Sequence, residues 1–176
     1  MTDDLLYRPN VGAVLFSRMG QVFVARRANQ RADAIAPWQF PQGGIDEGED
    51  PRRAVLRELE EEIGTANAEI VGEHPDWLRY DLPPELRARL WGGRFRGQRQ
   101  RWFALRYLGA DVDIHLDRHE HPEFDAWRWA DLTELPTLAV PFKRPIYEIL
   151  ARSFACFTDA AAPPTHPDRS PASPPR

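Results

Sequence analysis

The sequence predicts an α+β domain in which a mixed sheet is covered by helices. Three observations predict it. Short apolar, β-prone runs recur along the chain, two segments carry apolar residues at helical spacing, and the order is several strands, one helix, several strands, one helix.

Val11 to Phe16 is apolar and β-prone. The turn-rich Ser17-Arg18-Met19-Gly20 follows, then Gln21 to Ala25 reads as the returning strand. Arg26 to Pro37 is polar and irregular and reads as a loop. Trp38-Gln39-Phe40-Pro41 alternates until Gly43-Gly44 breaks the pattern. Pro51 to Ile63 is the strongest helix. Asp50 caps it, Pro51 suits the first helical position, Gly64 suits its end, and Val55, Leu56, Leu59 and Ile63 form its apolar stripe. Ala68 to Glu73, Trp77 to Leu82 and Gln100 to Leu108 read as strands, the last two separated by an arginine- and glycine-rich stretch. Phe124, Ala126, Trp127 and Trp129 mark a short aromatic strand. Pro145 to Phe157 reads as a second helix, with Ile146, Ile149, Leu150 and Phe154 at helical spacing.

Its 176 residues suffice for one domain with a sizeable core. Residues 1–158 are expected to fold. Residues 159–176 hold six of the 17 prolines and little to bury, which predicts a disordered tail. No apolar run approaches the ~20 residues of a membrane-spanning helix, and Met1-Thr2-Asp3-Asp4 does not begin a secretory signal. The single cysteine, Cys156, excludes an internal disulfide and a cysteine-based zinc site. A cytoplasmic setting and a monomer without membrane contact are expected. The net charge of −4 is unevenly spread. Asp46 to Glu62 carries eight acids and three arginines, and Arg79 to Arg106 carries eight arginines and two acids, as expected of a metal site facing a polyanion.

The chemistry concentrates in Gly43 to Gly64. Glu58, Glu61 and Glu62 stand at i, i+3 and i+4 and share one helix face beside the apolar stripe. Like charges at such a sheltered edge raise one another's pKa unless a cation lies between them, and oxygen donors select hard ions such as Mg²⁺, Mn²⁺ or Ca²⁺. Gly43 and Gly44 permit close backbone approach, and a carbonyl there can add a ligand. Arg57 can pair with Glu49 and tie the loop to the helix. His115, His119 and His121 lie in a polar segment and read as surface residues.

This segment resembles the Nudix box, G-x5-E-x7-R-E-U-x-E-E-x-G-U, where U is a bulky aliphatic residue. Gly43, Glu49, Arg57, Glu58, Leu59, Glu61, Glu62 and Gly64 all match, and Thr65 departs at the final position. The resemblance implies an α/β/α sandwich and a hydrolase of nucleoside diphosphates linked to another group, using Mg²⁺ or Mn²⁺. It implies metal binding by Glu58, Glu61 and Glu62, with Glu58 serving as ligand or base, and a box-stabilising role for Glu49, Arg57 and Gly64. Outside the box, Tyr7-Arg8-Pro9-Asn10-Val11-Gly12, Trp38 to Ile45, Trp77-Leu78-Arg79-Tyr80, Gly97 to Phe103, Pro122 to Trp129 and Phe142-Lys143-Arg144 are similar to the bacterial RNA pyrophosphohydrolase group. That group also contains dinucleoside polyphosphate hydrolases.

The resemblance, covering roughly residues 7–150, implies that Glu123 completes the cation site. It implies that Arg8, Arg27, Gln42, Gln98 and Lys143 hold phosphates or a base, and that Val140 and Phe142 wall the base, Phe142 serving equally well as core. The implied substrate is 5′-triphosphorylated RNA, converted to a 5′-monophosphate end that promotes mRNA decay. The alternative is asymmetric cleavage of diadenosine tetraphosphate, which the loop Ala28 to Pro37 keeps open. A polyphosphate-binding module without catalysis is disfavoured by the intact glutamates. Deleting residues 159–176 is expected to leave melting temperature and turnover nearly unchanged, as thermal denaturation and a turnover assay would show.

Overall fold

A computed structural model of the chain describes residues 6–28 and 38–160. Most of the expected loop Ala28 to Pro37, and most of the expected tail, lie outside these residues. The strands are β1 (Tyr7–Phe16), β2 (Val22–Arg27), β3 (Trp38–Gln39), β4 (Gln42–Gly44), β5 (Ala68–Glu73), β6 (Leu78–Asp81), β7 (Gly97–Tyr107) and β8 (Phe124–Ala130). The α-helices are α1 (Pro51–Ile63), α2 (Pro84–Arg87), α3 (Leu135–Leu138) and α4 (Arg144–Ser153). The strands form one eight-stranded mixed sheet. β1 and β7 run parallel from Tyr7↔Gly97 to Phe16↔Arg106, and the other pairings are antiparallel.

The continuous apolar run of β1 follows from its place in the middle of this sheet, buried on both faces. Alternate residues part to opposite sides. Val11, Ala13 and Leu15 join Phe23, Phe103 and Leu105 in a core closed by Ala54, Val55, Leu59 and Ile63 of α1. Val14 and Phe16 join Val24, Trp102 and Ala104 in a second core closed by Ile146, Tyr147 and Leu150 of α4. The sheet is thus layered between α1 and α4, which is the expected sandwich. Among the described residues no helix is long and apolar enough to cross a membrane.

α1 has the expected bounds. Asp50 Oδ1 accepts from the backbone N–H groups of Arg52 (2.9 Å) and Arg53 (3.3 Å), and the helix ends at Gly64 with φ 80°. Three expectations are corrected. β2 runs on through Arg26 and Arg27, which were expected in a loop, because both continue the ladder with β8 and Arg26 pairs with Asp125 at 2.7 Å. Gly43 and Gly44 do not break a strand but belong to one, since β4 lies against β1 through Asn10↔Gly44, Val11↔Gly43 and Gly12↔Gln42. The second helix stops at Ser153 and gives way to a tighter turn, Ala155–Phe157. There the Arg106 guanidinium holds the Phe157 carbonyl at 2.9 Å, so backbone that would continue the helix bonds to the sheet instead. Replacing Asp50 by alanine is expected to destabilise the fold by about 1 kcal/mol, measured as a lowered urea midpoint with unchanged slope.

Candidate metal and polyphosphate site

The loop that leads into α1 is fastened by one side chain. Arg57 Nε and Nη2 donate to the two carboxylate oxygens of Glu49, each at 2.8 Å. Nη2 also donates to the Gly44 carbonyl at 3.0 Å, and Nη1 to Glu58 Oε1 at 2.8 Å. Glu49 in turn accepts from the Asp46 backbone N–H at 3.0 Å. Charge-assisted, forked bonds of this kind are short and directional. They hold the Glu49 carboxyl at about 2, well below the usual carboxylate range, chiefly through the Arg57 hydrogen bond. The bonds to Glu49 and Glu58 likewise raise Arg57.

The three helix glutamates are not equally sheltered, which refines the expected common edge. Glu62 is buried, Glu58 is 14 % exposed and Glu61 is 51 % exposed, its carboxylate reaching Arg57 at 3.4 Å. α1 turns Glu62 furthest toward the sheet, where Gln42 of β4 donates its backbone N–H to Glu62 Oε2 at 3.0 Å. Gly43 lies against Glu58, and a Cβ at that position would fall on the Glu58 carboxyl. A glycine is required there by close approach, whatever its dihedral freedom. Glu123 precedes β8, and its carbonyl accepts from the Ala28 N–H at 2.7 Å. Glu58, Glu61, Glu62 and Glu123 line one cavity of about 280 Å³ with His119 and His121 at its rim. The two histidines are exposed, as expected, and their place at this mouth is what the sequence did not indicate.

Burial drives the Glu62 carboxyl well above its ordinary value, and the nearby Glu123 and Glu58 charges add to the rise. Burial also raises Glu58, against the pull of Arg57. Among the described residues no three His, Cys, Asp or Glu groups are already gathered as a metal-holding set. Glu58 is drawn to Arg57 and Glu62 to the Gln42 amide. The donor chemistry nevertheless fits a divalent hard cation. Four carboxylates line the cavity, and a cation among them relieves the repulsion that raises Glu62.

On the other side of Gln42 stands a second set of polar groups. Gln100 Nε2 donates to Gln42 Oε1 (3.1 Å) and Asn10 Oδ1 (2.7 Å), fixing the side chain of Gln42. Gln98 is buried opposite Tyr80, whose hydroxyl donates to Gln98 Oε1 at 2.6 Å. A three-residue turn, Pro141–Lys143, opens after the half-buried Val140. It sets Phe142 at 5.6 Å from the Tyr80 ring, and Lys143 Nζ stands 5.7 Å above the same ring. Phe142 is half-buried against the α4-side core, so core packing and wall both describe it. Burial pushes the Lys143 ammonium down to about 8 with help from the Arg27 charge, while Glu62 and Glu123 pull it up. The charges of Arg8 and Arg27 both act on Tyr80, against the burial that raises its hydroxyl. Tyr80 is the residue around which these groups gather, and no local pattern assigns it that place. Its sequence signal is membership of the run Trp77-Leu78-Arg79-Tyr80.

The arrangement therefore sets an acidic cavity beside buried and half-buried cations. Such a pairing can hold a cation against a polyanion and bring water to phosphorus between them. Residues 6–150 match the model of the NUDIX domain family. The chain is 64% identical over 159 residues to an RNA pyrophosphohydrolase of Acidiphilium cryptum, covering 89% of this chain and 96% of that protein. It is 60% identical over 153 residues to an RNA pyrophosphohydrolase of Rhodospirillum rubrum, covering 87% and 90%. Among solved structures, its fold is similar to that of the E. coli dihydroneopterin triphosphate pyrophosphohydrolase, with TM-score 0.63, 20% identity, and coverage of 84% of this chain and 99% of the other.

The Glu49–Arg57 pair has a definite pH signature. A carboxyl at about 2 in the folded state and 4.5 ordinarily stabilises the fold above pH 4.5. That stabilisation is lost as pH falls toward 2. The raised Glu58 and Glu62 carboxyls work in the opposite sense, since protonation relieves them. Urea midpoints measured at pH 6 and pH 3 are expected to fall less for Glu49→Gln than for wild type. Equal falls in the two proteins would contradict the bonding described.

Proposed function

Because the chain belongs to the Nudix family, we propose that it is a metal-dependent RNA 5′-pyrophosphohydrolase, which removes pyrophosphate from triphosphorylated RNA to leave a 5′-monophosphate and so promotes mRNA decay. The observation that carries this reading is the cavity of Glu58, Glu61, Glu62 and Glu123 set beside Lys143 and Arg27. The names of the close relatives agree with it.

Glu58, Glu61, Glu62 and Glu123 would hold the divalent ion, Mg²⁺ or Mn²⁺, with the Gly43 carbonyl beside them. When bound, that ion supplies positive charge to the phosphate oxygens and lowers the pKa of the attacking water. The chain's own residues do the rest. Arg57 keeps Glu58 and the box loop in register. Lys143 and Arg27 would meet the phosphate charge, Lys143 lying within reach of the Glu62 and Glu123 charges. Lys143 sits at about 8, and a polyphosphate beside it favours its charged form. Water adds to a phosphorus of the triphosphate, one phosphoanhydride bond breaks, and the proton of the water passes to a carboxylate. Glu58, raised by burial toward neutrality, fits the acceptor or the ligand role. Phe142 and Val140, both half-buried, would offer apolar surface to a base with Tyr80 packed behind Phe142, Gln98 and Gln42 would stand at its polar edge, and Arg8 would approach from β1. Aromatic stacking of unpaired bases is the usual grip on single-stranded RNA.

The deciding experiment offers equal enzyme and Mg²⁺ to a short 5′-triphosphorylated RNA and to diadenosine tetraphosphate. Higher efficiency on the RNA is expected. Preference for the dinucleotide would overturn the RNA reading in favour of nucleotide housekeeping. Glu62→Gln is expected to lower kcat by about 10²-fold or more on either substrate without loss of melting temperature. Turnover near wild type would remove Glu62 from the site.

A further inference from the structure

The segment between β6 and β7 contains a backbone outlier. Trp91 has φ 50°, and Gly92 and Gly93 follow at 64° and 73°. Glycine occupies the left-handed region without strain, whereas a bulky side chain there is rare. Glycine at 91 would relieve that strain, so the indole that stands there instead calls for a use. Its surroundings supply one. The ring packs at half burial against the α4-side core and meets Phe95 edge-on at 6.0 Å. The Arg8 guanidinium lies over the indole with Cζ 5.1 Å from its centre. On its other flank Arg8 presses on Gly44, where a Cβ would fall on Nη2. Gly44 ends β4 where the box loop begins, its carbonyl held by Arg57. The guanidinium is thus caught between a strained tryptophan and the Gly44 backbone that Arg57 ties to Glu58.

We infer that Trp91 is a positioning residue: it holds the plane of the Arg8 guanidinium beside Gly44, so that Arg8 receives the nucleotide of the substrate already oriented. This rests on the reading of Arg8 as a substrate contact. An arginine left free explores many rotamers and loses that freedom on binding. One already stacked on an aromatic face has lost it beforehand, so binding is tighter while the chemical step is untouched. The effect therefore belongs in KM and not in kcat.

A double-mutant cycle tests this on a short 5′-triphosphorylated RNA. Trp91→Leu keeps apolar bulk against the core but offers no aromatic face, and Trp91→Phe keeps the face with the same backbone strain. Trp91→Leu is expected to raise KM about fivefold with kcat unchanged, the size of a modest cation–π contact. Trp91→Phe is expected to recover most of that loss at a melting temperature similar to that of the leucine variant. Arg8→Ala combined with Trp91→Leu should be no worse than Arg8→Ala alone, because Trp91 acts through Arg8. Equal KM values for the leucine and phenylalanine variants, or multiplying effects of the two sites, would overturn the inference. The same cycle on diadenosine tetraphosphate separates it from the RNA reading. If wild type prefers the dinucleotide, the RNA reading fails while the Arg8–Trp91 coupling is still read on that substrate.

Discussion

The guanidinium of Arg57 joins two segments that carry the same charge. Glu49 and Asp46 belong to the loop, Glu58 and Glu61 to the helix, and one planar cation bonds or pairs with all four. Because it also takes the Gly44 carbonyl, it fixes the loop backbone as well as the carboxylates. Lysine could supply the charge but not the fork. Without it, the acids of the loop and helix would repel across the space where they must converge.

A second opposition is built around Glu62. α1 delivers this carboxyl into a buried position against β4, where desolvation favours the protonated form. On the other side burial favours the neutral form of Lys143. Both groups are thus pushed toward their neutral forms, Glu62 checked by the Gln42 N–H and Lys143 by the charges of Glu62 and Glu123. A divalent ion on one side and a polyphosphate on the other would satisfy both together. The site is consequently electrostatically incomplete in the protein alone, as expected of a binding surface and not of a structural ion-pair network.

How far the sequence disclosed this depended on whether a signal was local. α1 was legible to the residue because Asp50, Pro51 and Gly64 are punctuation read within one helix. β5 was equally legible, but β1, β7 and β2 extend further than their apolar runs. Arg8, Arg26, Arg27 and Gln98 are held in strands by partners distant in sequence. β4 was hidden because its glycines answer to Glu58 and Arg8, not to strand propensity. The spacing of the glutamates showed a shared face but not the gradient from buried Glu62 to exposed Glu61, which the packing of α1 on the sheet decides. The grouping of Tyr80, Gln98, Phe142 and Lys143 depends on contacts between β6, β7 and the turn before α4, and no local pattern encodes it.

The parallel pairing of β1 with β7 also has a temporal side. Asn10 and Gln100, whose side chains bond at 2.7 Å, lie 90 residues apart, and Gln100 steadies the Gln42 that meets Glu62. Closing so long a loop before its contacts reward it is slow, and topologies rich in distant pairs fold late. On a ribosome α1 would leave the tunnel well before β7 exists to complete the sheet beneath it. The box helix would therefore spend part of its early life with Glu62 in water, Arg57 being the cation already beside Glu58 and Glu61 while Lys143 is still to come. The polar site would then wait on two late pairings, β7 with β1 and β8 with β2, and on the turn that carries Phe142 and Lys143.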